Sequence, residues 1–553
     1  MNEKVPMKKS VVLQNSRLSS LEPKQYLPSL IAVLLVLTSI VAVSWTSRAA
    51  AVGTLGSAIE VPGLASLNVG GSVSSAVISC GAPGNCSAGG TYSARKNMGA
   101  FVIDEVNGTW GSAEEVPGTA SLNAFENVTL TSISCGSPGN CSAGGYYGGY
   151  IYGNDGTGQA FLVDEVNGTW GTAFAVSGTG IFGSQINEMS CSGEGNCSAG
   201  GAYLDDNVDP QAFVVDEVDG TWGSAIEVPG TDAMNLGGDA AVSSISCTSP
   251  GNCSAGGYYS GAVAGYSGVA RSQAFVVNEV DGTWGSAIVV PGTSNLNDAP
   301  VEIGLGAAVT SISCSSSGNC SGVGTYYNET GHPSAFAVTE SGGIWGTAIQ
   351  IHGTAGSGLG PDQISCSSPG NCGAGGFLTI TANNEANQDA FVVNETGGKW
   401  GSAIIVPGIA AMNHYGPASQ LVAETYSISC PSAGGCSAGG YYSTRSGNQE
   451  AFIVSEVRGS WGSSLEVPGT STLNAGGGPG PLYGTSVDSI SCGSTTQCGA
   501  IGLYPDRSHN IQAFVVTVAP NLSQHTILCV KGKSVRKVTA VSPRCPAGYK
   551  TER

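Results

Sequence analysis

Positive charge is what this chain has least of. Its 553 residues carry 20 Lys and Arg against 39 Asp and Glu, with only five histidines. Between Gly53 and Val518, seven cations face thirty-six acids. Such a body repels phosphate backbones, so nucleic acid is excluded as its partner. The histidines, His332, His352, His414, His509 and His525, share no common position. Arginines grouped to clamp a carboxylate are missing too, since Arg95, Arg271, Arg445, Arg458 and Arg507 are unmatched in phase. No G-x-S-x-G, H-E-x-x-H or phosphate loop occurs, and no calcium-loop spacing is present. Carboxylates are abundant enough to leave a glycosidase or lyase site open, but abundance is not a signal. On these grounds the chain is expected not to be an enzyme and to carry neither cofactor nor metal.

An apolar run longer than a strand occurs once, from Leu30 to Trp45. It follows Lys4, Lys8, Lys9, Arg17 and Lys24 and precedes Ala49 and Ala51, the layout of an export signal. At sixteen residues it is short for a span, and both cleavage and retention as an anchor remain open. Residues 1–51 are therefore assigned to a signal peptide or signal anchor, with everything beyond them exported to the cell surface or medium.

Glycine (85 residues) and cysteine (18 residues) are plentiful, and the cysteines are ordered. Eight pairs, six positions apart, run Cys80/Cys86, Cys135/Cys141, Cys191/Cys197, Cys247/Cys253, Cys314/Cys320, Cys366/Cys372, Cys430/Cys436 and Cys492/Cys498. In an oxidising compartment each pair is expected to close a disulfide, as are Cys529 and Cys545. Around every pair lie four strand-length runs, as in "TLTSISC", "CSAGGYY", "AFLVDEV" and "TWGTAFAV". The Ala of each "AF" stands ten positions before Trp110, Trp170, Trp222, Trp284, Trp345, Trp400 and Trp461. By contrast, the second cysteine lies 14 to 21 positions before "AF", and each Trp lies 21 to 31 before the next cysteine. In an antiparallel meander the fixed turns share one face and the elastic loops share the other. Insertions confined to one face mark the side that meets other molecules.

The fixed turns carry "NG" at Asn107 and Asn167 and "DG" at Asp219 and Asp281, both two-residue hairpin signals. The repeat opens at "TLGSAIEVPG" from Thr54, a fourth strand, and closes at "QAFVVTV", a third strand ending at Val518. One strand at the start and three at the end complete one unit, which closes a ring and hides unpaired edges. The expected fold is all-β: an eight-bladed β-propeller over residues 52–518, closed by its N-terminal strand and followed by a basic tail over 519–553.

Four-stranded units with "GG" in the second strand and Trp opening the fourth resemble kelch and Asp-box repeats. The cassette "SCxSxxxCxAxG" is similar to repeats of exported actinobacterial proteins. The chain departs from the Asp-box pattern because "VDGTW" puts Gly two, not three, positions before Trp.

Tyr147, Tyr203, Tyr259, Tyr326 and Tyr442 follow "GG" at the border of the variable face and are the ligand-face candidates, able to stack on sugars, although their regular recurrence favours packing. The same regularity assigns the tryptophans to packing. A glutamate five positions before each Trp (Glu105, Glu165, Glu217, Glu279, Glu340, Glu395 and Glu456) is expected to be solvated or to cap the turn. Loops Tyr146–Gly158 and Gly257–Ser272 are expected to carry selectivity. Lys531, Lys533, Arg536 and Lys537 suit contact with an anionic wall polymer. The functional expectation is a non-catalytic binding or adhesion scaffold for a surface glycan or protein. The alternatives are a carbohydrate-active enzyme and a surface-coat protein.

Overall fold

A computed structural model describes residues 54–551, apart from 95–96, 123–126, 152–157, 263–269, 299–305, 356–359, 383–384, 413–421, 445–446, 475–483, 520–524, 532–533 and 541–549. Residues 1–51, expected to form the export segment, residues 152–157 and 263–269 of the two variable loops, Lys533 and Cys545 lie outside these residues. Among the described residues no helix is long and apolar enough to cross a membrane.

The repeat folds as eight antiparallel sheets, and the eight-bladed propeller stands as expected. In blade 2 the strands are Val128–Ser137, Asn140–Tyr147, Gln159–Glu165 and Phe174–Ala175, adjacent in chain order. Blade 8 takes Ser486–Ser494, Gln497–Pro505 and Ile511–Ala519 from the end of the repeat, and Thr54–Leu55 and Ile59–Glu60 from its start. Thr54 pairs with Ala519 and Ile59 with Val515, which closes the ring.

Each "NG" or "DG" hairpin has both central residues at positive φ, for example Asn107 at 51° and Gly108 at 79°. The two fixed turns of a blade also bond to each other: Gly108 N–H donates to Gly84 O at 2.8 Å, and the same pairing recurs through Gly459 and Gly434. They therefore share one face, as their constant lengths implied.

All eight cysteine pairs are disulfides across the first hairpin, and Cys529 is disulfide-bonded as well. The pairs stand as expected, and the two sulfurs of a staple are not in equivalent places. The second cysteine of every pair, Cys86, Cys141, Cys197, Cys253, Cys320, Cys372, Cys436 and Cys498, is at most 5% exposed. Among the first cysteines only Cys430 is buried to that degree, while Cys80, Cys135, Cys191, Cys247, Cys314, Cys366 and Cys492 are half-buried. The asymmetry comes from the ring: the second strand is covered by the adjacent blade. Cys86 belongs to the core shared by blades 1 and 8, and Cys498 to the core shared by blades 8 and 7. Cys141 Sγ meets Ser87 Oγ of the preceding blade at 3.2 Å, and Cys197 Sγ meets Ser142 Oγ at 3.4 Å. Cys86, Cys141, Cys197 and Cys498 are thus core and seam residues.

The fourth strand departs from the sequence reading, for it is broken in the middle. Trp110 and Glu114–Glu115 pair with the third strand, but Ala113 N–H turns away to donate to Pro62 O of the neighbouring blade at 2.7 Å. The equivalent bond recurs at all eight seams, ending with Ala58 to Pro468 at 2.7 Å. A second clasp lies nearer the axis. The serine before each first cysteine accepts the N–H of the next blade's cysteine, from Ser79 to Cys135 at 3.0 Å round to Ser491 and Cys80 at 3.0 Å. The recurring "SISC" is thus a blade-to-blade link. Between the two clasps the core fills each seam, with the Phe of every "AF" fully buried: Phe101 packs with Ile501 and Val515 of blade 8. Truncating such a ring costs about 3–5 kcal/mol.

Candidate functional site

Two sets of polar side chains emerge from this frame, one along the axis and one within the seams. The axial set begins with "GG". A Cβ on Gly145 would lie 1.9 Å from Thr129 O, and one on Gly440 1.8 Å from Glu424 O. Only glycine permits so close an approach. Opposite these glycines the first strand bulges, in blade 2 between Leu130 and Ser132 and in blade 7 between Thr425 and Ser427. A bulge re-aims the extra residue. Because first strands of adjacent blades pack against one another round the ring, that residue faces the central channel.

In several blades the bulged side chain is a further link. Thr131 donates to Ile186 O at 2.7 Å, Asn187 to Val242 O at 2.8 Å, and Thr310 to Pro361 O at 2.8 Å. Three consecutive blades break this rule. On the first strands Pro361–Ser368, Ala423–Ser432 and Ser486–Ser494, the position is held by Asp362, Tyr426 and Asp488. Asp362 and Tyr426 are exposed on the channel wall. Tyr441 joins them from the second strand of blade 7: its hydroxyl donates to Glu424 Oε2 at 3.1 Å, and its ring centroid lies 5.2 Å from that of Tyr426.

The electrostatics of this group are unusual. Desolvation, the Glu424 charge and a hydrogen bond between the two carboxyls all raise Asp362, so the pair holds a proton that isolated carboxylates would release. Burial lifts Asp488 to about 7, although Ser486 donates to it. On the first strand of blade 3, Glu188 is likewise raised to about 7 by burial. The eight first strands bear four carboxyls and no Lys, Arg or His. A protonated carboxyl beside an ionised one presents an acid and a base together at neutral pH.

The seam set contains the repeating glutamates. Of the two roles expected for them, solvation is overturned: Glu105, Glu165, Glu217, Glu279, Glu340, Glu395 and Glu456 are each at most 5% exposed. Each extends into the seam toward the preceding blade. There the tryptophan N–H also lands in six of the seven full units, Trp222 on Asp164 at 3.0 Å and Trp461 on Asn394 at 3.1 Å, while Trp110 Nε1 is buried without a partner. Packing, reinforced in those six by a hydrogen bond, explains the recurring Trp.

The tyrosines expected at the ligand face are packed within the blades. Tyr259, Tyr326 and Tyr442 are buried, Tyr147 and Tyr203 half-buried, and the hydroxyls of Tyr203 and Tyr442 donate to Glu227 and Glu466. They are not brought together. Sequence reasoning missed the axial group, although aligning the fourth residue before each first cysteine from Cys135 onward shows small polar residues giving way to Asp362, Tyr426 and Asp488.

No family model matches the chain, and no curated protein matches it. Solved propellers do. A xyloglucanase of glycoside hydrolase family 74 from Xanthomonas campestris is 10% identical over 89% of this chain and 59% of its own, with a TM-score of 0.37. A polysaccharide lyase, an ulvan lyase of family 25, is 10% identical over 76% of this chain and 95% of its own, with a TM-score of 0.37. An α-L-arabinanase of Penicillium chrysogenum is 10% identical over 62% of this chain and 98% of its own, with a TM-score of 0.33. By name these are carbohydrate-active enzymes, and the expectations of a non-catalytic scaffold and of no enzyme are corrected here. Likeness this distant concerns the fold alone. This chain's own reason for the correction is the carboxyl pair in its channel, which escaped notice because its two members lie 62 positions apart in sequence and meet only in the ring.

Proposed function

We propose that this protein is a carbohydrate-active enzyme, a glycosidase or lyase, with its site at the channel wall of blades 6 to 8. The observation that carries this reading is the placing of two carboxyls, Asp362 and Glu424, on neighbouring first strands at the channel wall, close enough that burial and their mutual influence raise Asp362. Asp362 serves as the acid. Glu424, held by Tyr441, serves as the base, and exposed Tyr426 offers a ring face to a sugar. Nothing in the wall would clamp an anionic group, since no cation stands on any first strand.

Eight hairpin disulfides point to an oxidising, extracellular setting. Export through residues 1–51, kelch or Asp-box kinship, an actinobacterial source and a glycan partner belong to the same proposal. So does contact of the basic tail with a wall polymer, for which Lys531 is exposed. The test is a panel of neutral and charged polysaccharides incubated with the secreted protein, scored for new reducing ends or unsaturated products. Turnover that falls by about 10²-fold or more in both Asp362→Asn and Glu424→Gln supports the reading. Turnover unaffected by either change, or none on any substrate, removes it.

A further inference from the structure

The seams contain buried acids that the channel chemistry does not use. Where blade 2 meets blade 3, a cleft of about 350 Å³ on the uniform face is lined by Ser142, Asp164, Glu165, Glu194, Glu217 and Asp219. Glu217 is 5% exposed, lines this cleft, and its Oε2 has no hydrogen-bond partner. At the next seam Glu279 is 4% exposed and its Oε2 is orphaned in the same way, as is Oδ1 of Asp216, the acid it faces. Elsewhere the same glutamate receives a donor. Asn278 donates to Glu340, Asn394 to Glu456, and Ser321 and Thr339 to Glu395 at 2.8 Å. Where Asp104 faces Glu165, Ser87 Oγ caps the glutamate at 3.2 Å. Orphaned carboxylate oxygens therefore concentrate where the facing residue is Asp and nothing donates.

A buried carboxylate oxygen with no donor is costly, and two facing acids double the problem. A cation resolves both at once. We propose that the Asp164–Glu217 and Asp216–Glu279 seams each bind a hard divalent cation of the calcium class. Among the described residues no three carboxyl, imidazole or thiol groups converge to cage a metal by themselves. Each ion therefore takes one Asp and one Glu and completes its shell with water and neutral oxygens such as Ser142 Oγ, as partly hydrated oxygen-ligand sites do. The bound ion cross-links consecutive blades where neighbouring seams use an Asn donor. The Glu340 Oε2 atom is also unpartnered, but its carboxylate already receives Asn278 and faces no second acid.

The indoles report on these sites directly, because Trp222 bonds Asp164 at 3.0 Å and Trp284 bonds Asp216 at 2.9 Å. The full secreted protein, stripped with EDTA and held at pH 8, is titrated with terbium under tryptophan excitation. Sensitised emission should saturate at two ions per chain and be displaced by calcium, and calcium should raise the melting temperature. Asp164→Asn should leave one ion, and Asp164→Asn with Asp216→Asn none. These variants copy the Asn that this chain already carries at positions 278 and 394, so they should fold; circular dichroism checks this. Absent emission with an unchanged melting temperature overturns the proposal. So does a stoichiometry that the double variant leaves intact, which would place the ions on exposed acids.

Discussion

The seam between blades 3 and 4 and the seam between blades 4 and 5 share the same backbone, the same tryptophan clasp and the same buried glutamate. They differ in one side-chain group. Asp216 faces Glu279, whereas Asn278 faces Glu340 and donates to it. Replacing one carboxylate oxygen by an amide turns acceptor against acceptor into donor against acceptor. The ring thus tolerates either solution, but only in the Asn seam does the glutamate receive a donor from the facing residue. The glutamate is fixed by architecture; its charge state is set by whatever the preceding blade places opposite.

The comparison breaks most severely if a satisfied seam is converted. Asn278→Asp should destabilise the protein by about 1–3 kcal/mol at pH 8 in EDTA, read from urea unfolding, because a buried donor is lost and a second acid gained. At pH 5 the loss should shrink. A null result at pH 8 would mean that the Asn donor is not what stabilises that seam.

Acidity should sharpen the same contrast in the unaltered protein. Burial first, and then the facing aspartate, raise Glu165, Glu217 and Glu279 to about 7. Glu217 faces Asp164, with Glu165, Glu194 and Asp219 in the same cleft; Glu279 faces Asp216. An acid whose pKa is higher in the folded state than in the unfolded chain binds extra protons when folded, so its contribution is full below about 4.5 and lost as pH rises through about 7. In EDTA the melting temperature should therefore fall between pH 5 and pH 8, by several degrees. A melting temperature that rises over this interval would contradict the burial of these groups.

Asp216→Asn should stabilise the metal-free protein at pH 8 by about 1 kcal/mol, supplying the donor that Asn278 supplies next door. The smallest effect is expected at the rim of the seam between blades 6 and 7. There Arg458 occupies a left-handed turn position at φ 53° that Asn and Asp hold in other blades. Arg458→Asn should gain a few tenths of a kcal/mol, measured in the same urea titrations, since Asn tolerates that conformation better.

What the sequence disclosed, and what it hid, follows from the range over which each feature is encoded. Hairpins, disulfides and ring closure are written in spacings within one unit or in the phase of the ends, and Asn107-Gly108, Cys80/Cys86 and Thr54 sit where those patterns put them. The glutamates defeated local reading because a position beside an exposed turn is buried only when the next blade covers it. The same covering buries Cys86, Cys141, Cys197 and Cys498, whose bonding was legible from spacing while their depth was not. The break in the fourth strand has the same origin, since Ala113 answers to Pro62 of another blade. The channel group was hidden one step further. "GG" was visible, but its consequence, a bulge that turns Asp362, Tyr426 and Asp488 to the axis, depends on a backbone contact between strands. The general lesson is that residues which obey the repeat hold the ring together, and those which depart from it set the character of the channel wall.

The double clasp at every seam has a consequence for survival outside a cell. A protease that severs one elastic loop liberates nothing, since the wounded sector stays gripped by both neighbours at rim and hub and is sewn internally by sulfur. Damage must accumulate at several places before any piece can drift away.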